Sequence, residues 1–482
     1  MLRFAVFDES GPARDGRLSH AYALDKQGHA VPALIEFSEG VISVKPSSTD
    51  ATAFALNRDA GEAGRLTLQT TPLPHRDRPY LLDLELARHR IMLLIVKLEE
   101  WGLAPLLSAD DEVLRDLDSA RDLMTAALCE PGSGPGRYTA AQAATARRSL
   151  ERAVLASEKL ALRASEAQLE ARLNGAGGVS EGGISEEEGR VSGAVVRGLP
   201  KPQLGCLVHN DRFTEPLQKT VGATFDFLAS PMRWNEIESE EGRYNFRSTD
   251  RWIEWAVRQG RLPVHAGPVL DFHPRAFPSW ATVWEHDYET LREFAYEHCA
   301  RVAKRYRRAV RRWIALSGPT VTAGVKFSID QWVDLARLST LAIRKAAPNA
   351  SVSVEISLPF GQHPGGSESV VSPRFFAEML LHAGVQFDSL ALRIQMGSAS
   401  IGESSRDLMQ LSALIDDFAS YEHMIDVSVL GVPSGIASGE ASHLDPGGWR
   451  GAASPEPQAR VVTQALTVLT GKAAVRRDAR QA

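Results

Sequence analysis

Pro231-Met-Arg-Trp-Asn-Glu-Ile-Glu-Ser-Glu-Glu-Gly-Arg-Tyr-Asn-Phe246, followed by Asp250, decides how the second half of the chain is read. It follows an apolar run, Gly222-Ala-Thr-Phe-Asp-Phe-Leu228, that reads as a strand, and it leads into a helix over Thr249–Gln259. Outward from there the same alternation repeats. Leu204–Val208 precedes it as a strand. Leu262–His265 with Val269-Leu270, Arg312–Leu316, Ser351–Ile356, Leu390–Ile394 and Met424–Leu430 follow as further strands. Helices over Tyr288–Arg308, Gln331–Ala346, Pro373–Ala383, Ser405–Ala419 and Pro457–Leu469 separate and follow them. Parallel strands need a crossover for each pair, and a βα series of this length predicts an α/β fold, the (β/α)8 TIM-type barrel.

Upstream, residues 174–198 are rich in Gly, Ser and Glu and read as a flexible linker. Residues 76–173 read as a helical hairpin. One stripe runs through Leu82, Leu86, Leu93 and Val96, and a second places Leu155, Leu162 and Leu169 a heptad apart, with the loop 130–136 between. Residues 1–75 carry short runs such as Val31–Phe37 and Arg65–Gln69, punctuated by Gly, Ser, Asp and Pro, and read as a small β module. The barrel is expected over 199–482.

The 482 residues suit two or three domains, and 44% hydrophobic with 24% charged residues is ordinary for a globular chain. A net charge of -6 gives no basic field for nucleic acid. The three cysteines, Cys129, Cys206 and Cys299, lie too far apart for a zinc motif, and no metal or cofactor is expected. The N-terminus lacks a basic then apolar leader, and no apolar run approaches membrane-spanning length, so the expectation is a cytoplasmic protein with no membrane partner.

The Pro231–Phe246 stretch with Asp250 resembles glycoside hydrolase family 10, the endo-β-1,4-xylanase family. Phe272-His273 with Phe277-Pro-Ser-Trp280, Arg305-Tyr306 before Trp313, Ala347-Pro-Asn-Ala350 and Gln395 resemble that family's further motifs in the same order. The resemblance covers roughly 200–475. It implies hydrolysis of xylan or a related β-1,4-linked glycan by two carboxyl groups, one protonating the leaving oxygen and one attacking the anomeric carbon. It also places those two groups at Gly318, at the end of Trp313-Ile-Ala-Leu-Ser-Gly318, and at Val429, within Val427-Ser-Val-Leu-Gly431. Neither side chain can do the work.

Arg233, Trp234, His273, Trp280 and Gln395 remain as candidate sugar-binding residues, with Trp234 and Trp280 either stacking on a sugar or packing loops. Asp271 and Glu355 are the candidates for a displaced acid pair, and Asp226 lies within the second strand as read. Strand eight begins at Gly471–Val475 and runs into Arg476-Arg-Asp-Ala-Arg-Gln-Ala482, so the barrel is expected to be incomplete there. Its open edge would need the N-terminal region, a protein partner or self-association to cover it. Three functions follow. The leading one is a degenerate member that binds glycan or acts as a scaffold. The others are a glycosidase using Asp271 and Glu355, and a structural partner protein whose helical hairpin is the contact surface.

Overall fold

Eight parallel strands close into a barrel in the order of the chain: Gln203–Leu207, Phe227–Ser230, Val264–Ala266, Val310–Ser317, Ser351–Ile356, Ser389–Gln395, Ile425–Gly431 and Val475–Gln481. The structure is a computed structural model. It describes the chain apart from residues 9–10, 15–17, 104–106, 109, 135, 175–200, 321–322, 362–370, 436–444, 450–453 and 482, with 476–481 described as backbone only. The expected linker falls almost wholly outside the described residues.

Strand eight corrects the expectation of an open barrel. Ile425 pairs with Val475 on one side and Gln203 with Arg477 on the other, so the ladder closes. Backbone N–H and C=O groups on both neighbours are what a strand needs, and the charged side chains of this one do not prevent pairing. No edge is left for a partner or a second copy to cover. Strand two also shifts. Gly222, Ala223 and Thr224 end the helix Glu215–Thr224, which has Pro216 in its first turn, and the strand starts at Phe227. Asp226 therefore sits outside the strand. Its carboxylate accepts from the Leu204 amide at 2.9 Å, at the N-terminal end of the barrel, away from the strand ends that carry chemistry.

Among the described residues the N-terminal region has two larger sheets and a two-stranded one that pairs Phe7–Asp8 with Gly11–Pro12. One of the larger sheets orders Tyr80–Leu81, Leu2–Ala5, Val41–Pro46 and Ala33–Ser38. The other orders Gly448–Trp449, Gly64–Gln69, Ala53–Asp59, Tyr22–Leu24 and Ala30–Val31, and so borrows a strand from the loop after barrel strand seven. Phe4 and Phe54, both fully buried, stack 5.2 Å apart in its core. Three helices follow where a hairpin of two was expected: Leu82–Glu100, Glu112–Leu128 and Ala140–Leu173. The middle one starts where the Asp111 carboxylate accepts from the Val113 amide, an N-cap that satisfies one of the orphan donors of the first turn.

The N-terminal region and the barrel share one continuous apolar core. Arg90, on the first of these helices, donates to both oxygens of Asp407 at 3.0 and 2.6 Å, and both side chains are buried. Asp407 is also the N-cap of the barrel helix Leu408–Ala419, accepting from the Gln410 amide. One carboxylate thus caps a helix and clamps the two regions together. No helix among the described residues is long and apolar enough to cross a membrane.

Candidate functional site at the barrel mouth

The sequence motif that suggested the fold turns out to be a loop lock. Glu238 accepts from Trp234 Nε1 and from the Gly242 amide, each at 2.8 Å, while its backbone carbonyl accepts from Trp280 Nε1 at 2.9 Å. Asp250 accepts from Arg305 and from the Tyr306 hydroxyl, joining the helix after strand two to the helix after strand three. Burial alone would raise the Glu238 carboxyl. His298, Tyr244, Trp234 and the Gly242 amide outweigh that and hold it below the ordinary carboxylate value.

Within this lock Trp234 is 1% exposed, stacked on His298 at 4.7 Å and edge-on to Phe277 and Trp280. No ring face is left for a sugar, so of the two roles expected for Trp234 the structure gives it the packing one. Trp280 is half-buried and packs edge-on to Phe294. Arg233 is half-exposed at the mouth and pairs with Glu236 at 2.7 Å.

The two positions that the resemblance assigned to catalysis are filled differently. Gly318 directly follows strand four. Its amide donates to the Glu355 carbonyl at 2.8 Å, and its carbonyl accepts from Ser357 Oγ at 2.8 Å. A Cβ there would lie 2.7 Å from the Phe376 ring and 2.9 Å from the Glu355 carbonyl oxygen. The position has no room for a side chain. Val429 is 6% exposed and stands beside Arg393 in the ladder between strands six and seven.

Arg393 organises what remains. Its guanidinium lies 3.7 Å from Asp271 and faces Glu355 as well, its strongest source of opposite charge. Glu355 is 1% exposed, on strand five, and both its oxygens are taken: Ser317 donates to one at 2.7 Å and Ser428 to the other at 2.5 Å. Burial raises its carboxyl above the ordinary value, against the pull of Arg393 and of the two hydroxyls, with Asp271 adding to the rise. The candidate acids Asp271 and Glu355 are thus brought to one cluster, but with a shared cation. The sequence reading did not single out Arg393, Ser428 or Phe376. An arginine inside an apolar strand was the one available signal, since a charge partly withdrawn from water favours an opposite partner.

Half-buried His273 lies beside this cluster, and half-buried His209 lies near Arg233 and Arg212. Burial lowers His273, and Arg393 and Arg275 add to that against the pull of Asp271; His209 is lowered by burial and by Arg233 and Arg212. Both are neutral imidazoles at neutral pH, able to donate and accept. The His273 amide donates to Asp271 at 2.9 Å, and its Nδ1 accepts from the Arg275 amide at 3.1 Å. Gln395 is half-buried at the end of strand six and covers Gly431, where a Cβ would meet its Oε1 at 1.9 Å. Among the described residues no group of three His, Cys, Asp or Glu side chains is placed to hold a metal ion.

Comparison with known proteins finds resemblance in the barrel. Residues 200–315 match glycosyl hydrolase family 10, which makes the barrel family-10-like over its first four strands. The chain is 32% identical over 82 residues to endo-1,4-beta-xylanase B of Thermotoga neapolitana, an alignment covering 17% of this chain. It spans 23% of the length of that curated relative. Native xylanase 10B of Thermotoga maritima resembles it with 16% identity and a TM-score of 0.42, over 58% of this chain and 82% of that one. GH10 from Paenibacillus barcinonensis does so with 15% identity and a TM-score of 0.45, over 58% and 83%.

Proposed function

We propose that the mouth of this family-10-like barrel binds a β-1,4-linked glycan of the xylan type and does not hydrolyse it. One observation carries the second half of that reading: the acid/base position, Gly318, is sterically closed by Phe376 and by the Glu355 carbonyl. Val429 gives the opposite side no nucleophile. The first half rests on the family match and on two half-buried polar groups, His273 and Gln395, at the strand ends that carry the Asp271–Arg393 pair. Such groups hydrogen-bond hydroxyls, and half-buried Trp280 lends an apolar flank. Titration of the protein with xylohexaose, followed by tryptophan fluorescence, tests the binding. Saturable change supports it, and a flat titration at every sugar length refutes it.

A second reading has one observation in its favour. Burial holds the proton of Glu355 above the ordinary carboxyl value, as a general acid requires, and Asp271 is the nearby carboxylate. Against it, retaining hydrolysis needs two carboxyl groups about 5–5.5 Å apart with the sugar between them. Here a guanidinium is shared by the two acids, and both Glu355 oxygens are engaged by serines. Turnover abolished by Asp271→Asn or Glu355→Gln would favour this reading.

A further inference from the structure

We infer that Asp271 and Arg393 hold a sugar hydroxyl between them and confine the site to neutral glycans, rejecting a ring that carries a carboxylate there. The inference rests on the glycan reading above and adds the charge class of the ligand and the two residues that set it.

Strand alternation brings the two groups together. Ser389, at the start of strand six, shares a 2.7 Å hydrogen bond with Ser353 of strand five and donates to Asp426 of strand seven at 2.6 Å. Side chains two residues apart share a face of a strand, so Arg393 and Gln395 lie on the side of Ser389. Leu390, Leu392 and Ile394, all fully buried, take the other side. Asp271 arrives from strand three, just past the bridge between Leu270 and Leu316. One of its oxygens, Oδ1, accepts from the His273 amide at 2.9 Å. The other, Oδ2, stands 3.7 Å from Arg393 Nη1. That gap is too long for a hydrogen bond. Among the described residues the Arg393 guanidinium makes only charge contacts, and its side chain is 38% exposed.

A donor and an acceptor facing each other across such a gap are complementary to a group that does both. A hydroxyl about 2.8 Å from each donates to Asp271 and accepts from Arg393. A carboxylate only accepts, so one seated on Arg393 stands against Asp271. The groups that act on the guanidinium are three acids, Glu355, Asp271 and Glu403. Even with a proton on Glu355 its charge is matched before a ligand arrives. Exposed Arg275 acts on His273. Arg393 therefore offers donors without the net positive charge that an anionic sugar needs, and Asp271 repels that sugar. Like-charge rejection of a competitor is an ordinary source of specificity.

Calorimetric titration of the full chain with xylohexaose and with a hexamer of β-1,4-linked glucuronic acid tests this, in the parent and in Asp271→Asn. The parent is expected to bind xylohexaose at least about tenfold more tightly than the acidic hexamer, the scale of one charged hydrogen bond. In Asp271→Asn, which removes the charge and keeps the shape, the acidic hexamer is expected to gain about tenfold and xylohexaose to weaken. Binding of the acidic hexamer by the parent as tightly as xylohexaose would make Arg393 an anion receptor; it would overturn the inference and leave glycan binding intact. An unchanged ratio of the two affinities in Asp271→Asn would overturn it as well. Binding of neither hexamer to the parent would overturn the glycan reading and this inference with it.

Discussion

A β-carbon on Gly318 would stand 2.7 Å from Cε1 of Phe376, closer than real side chains approach. Strand four is therefore followed by a glycine for a packing reason: the ring from the helix after strand five occupies the space into which a residue 318 side chain would project. Gly318→Ala is expected to cost about 1–3 kcal/mol, the scale of overpacking in a closed core. In a Phe376→Leu background the same change costs less. Chemical denaturation of the four proteins checks this, and an equal cost in both backgrounds would contradict the assigned clash.

Arg393 and Glu355 are coupled, so their substitutions do not add. Arg393→Met leaves a buried carboxyl without its cation, whereas Arg393→Met with Glu355→Gln removes both charges. The double variant is expected to be more stable than the sum of the singles predicts, by about 0.5–3 kcal/mol. The partial exposure of Arg393 places the value toward the lower end. A urea-denaturation cycle measures it.

The two buried carboxyls titrate in opposite senses around the ordinary value of 4.5. Glu238 is held below it, so its contribution is complete above 4.5 and is lost as pH falls through its folded value. Glu355 is held above it, so its contribution is complete below 4.5 and is lost as pH rises through its folded value. Melting temperatures against pH are expected to lose part of the acid limb in Glu238→Gln. In Glu355→Gln the decline above 4.5 should flatten instead. Identical profiles for both variants would contradict these assignments.

Asp407 serves two structures at once, and Asp407→Ala strands a buried guanidinium while removing a helix cap. Loss of one partner from a buried pair costs about 3–5 kcal/mol. Because Arg90 and Asp407 join the N-terminal helices to the barrel, the variant is also expected to unfold in two steps where the parent unfolds in one. Near- and far-ultraviolet dichroism followed along the same denaturant series distinguishes the cases.

Much of the barrel was legible because buried parallel strands are short apolar runs between amphipathic helices. Ser351–Ile356 is found with the boundaries read from its pattern. What failed, failed for identifiable reasons. Gly222-Ala-Thr224 has strand-like neighbours, but Pro216 and the turn before it start a helix that runs through them. The helix Glu112–Leu128 was not read, because its stripe of Val113, Leu117 and Ala120 is diluted by the charged residues between. Strand eight carries arginines, and side-chain polarity says nothing about backbone pairing offered by both neighbours.

At the site, Asp271 and Glu355 were legible singly, as acids near strand ends. That Arg393 would pair with both required the curvature of the closed sheet. That Phe376 would fill the place beside Gly318 required the packing of a helix 58 positions further along the chain, which no local pattern encodes.

The proposed mouth holds sugar without cutting it. The direct measurement is release of the aryl group from an aryl β-xyloside during long incubation with a high concentration of the purified protein, alongside the Asp271→Asn and Glu355→Gln variants. Release no faster than in buffer is expected, and the same for all three proteins. Release that is saturable in substrate and abolished by either substitution would contradict it.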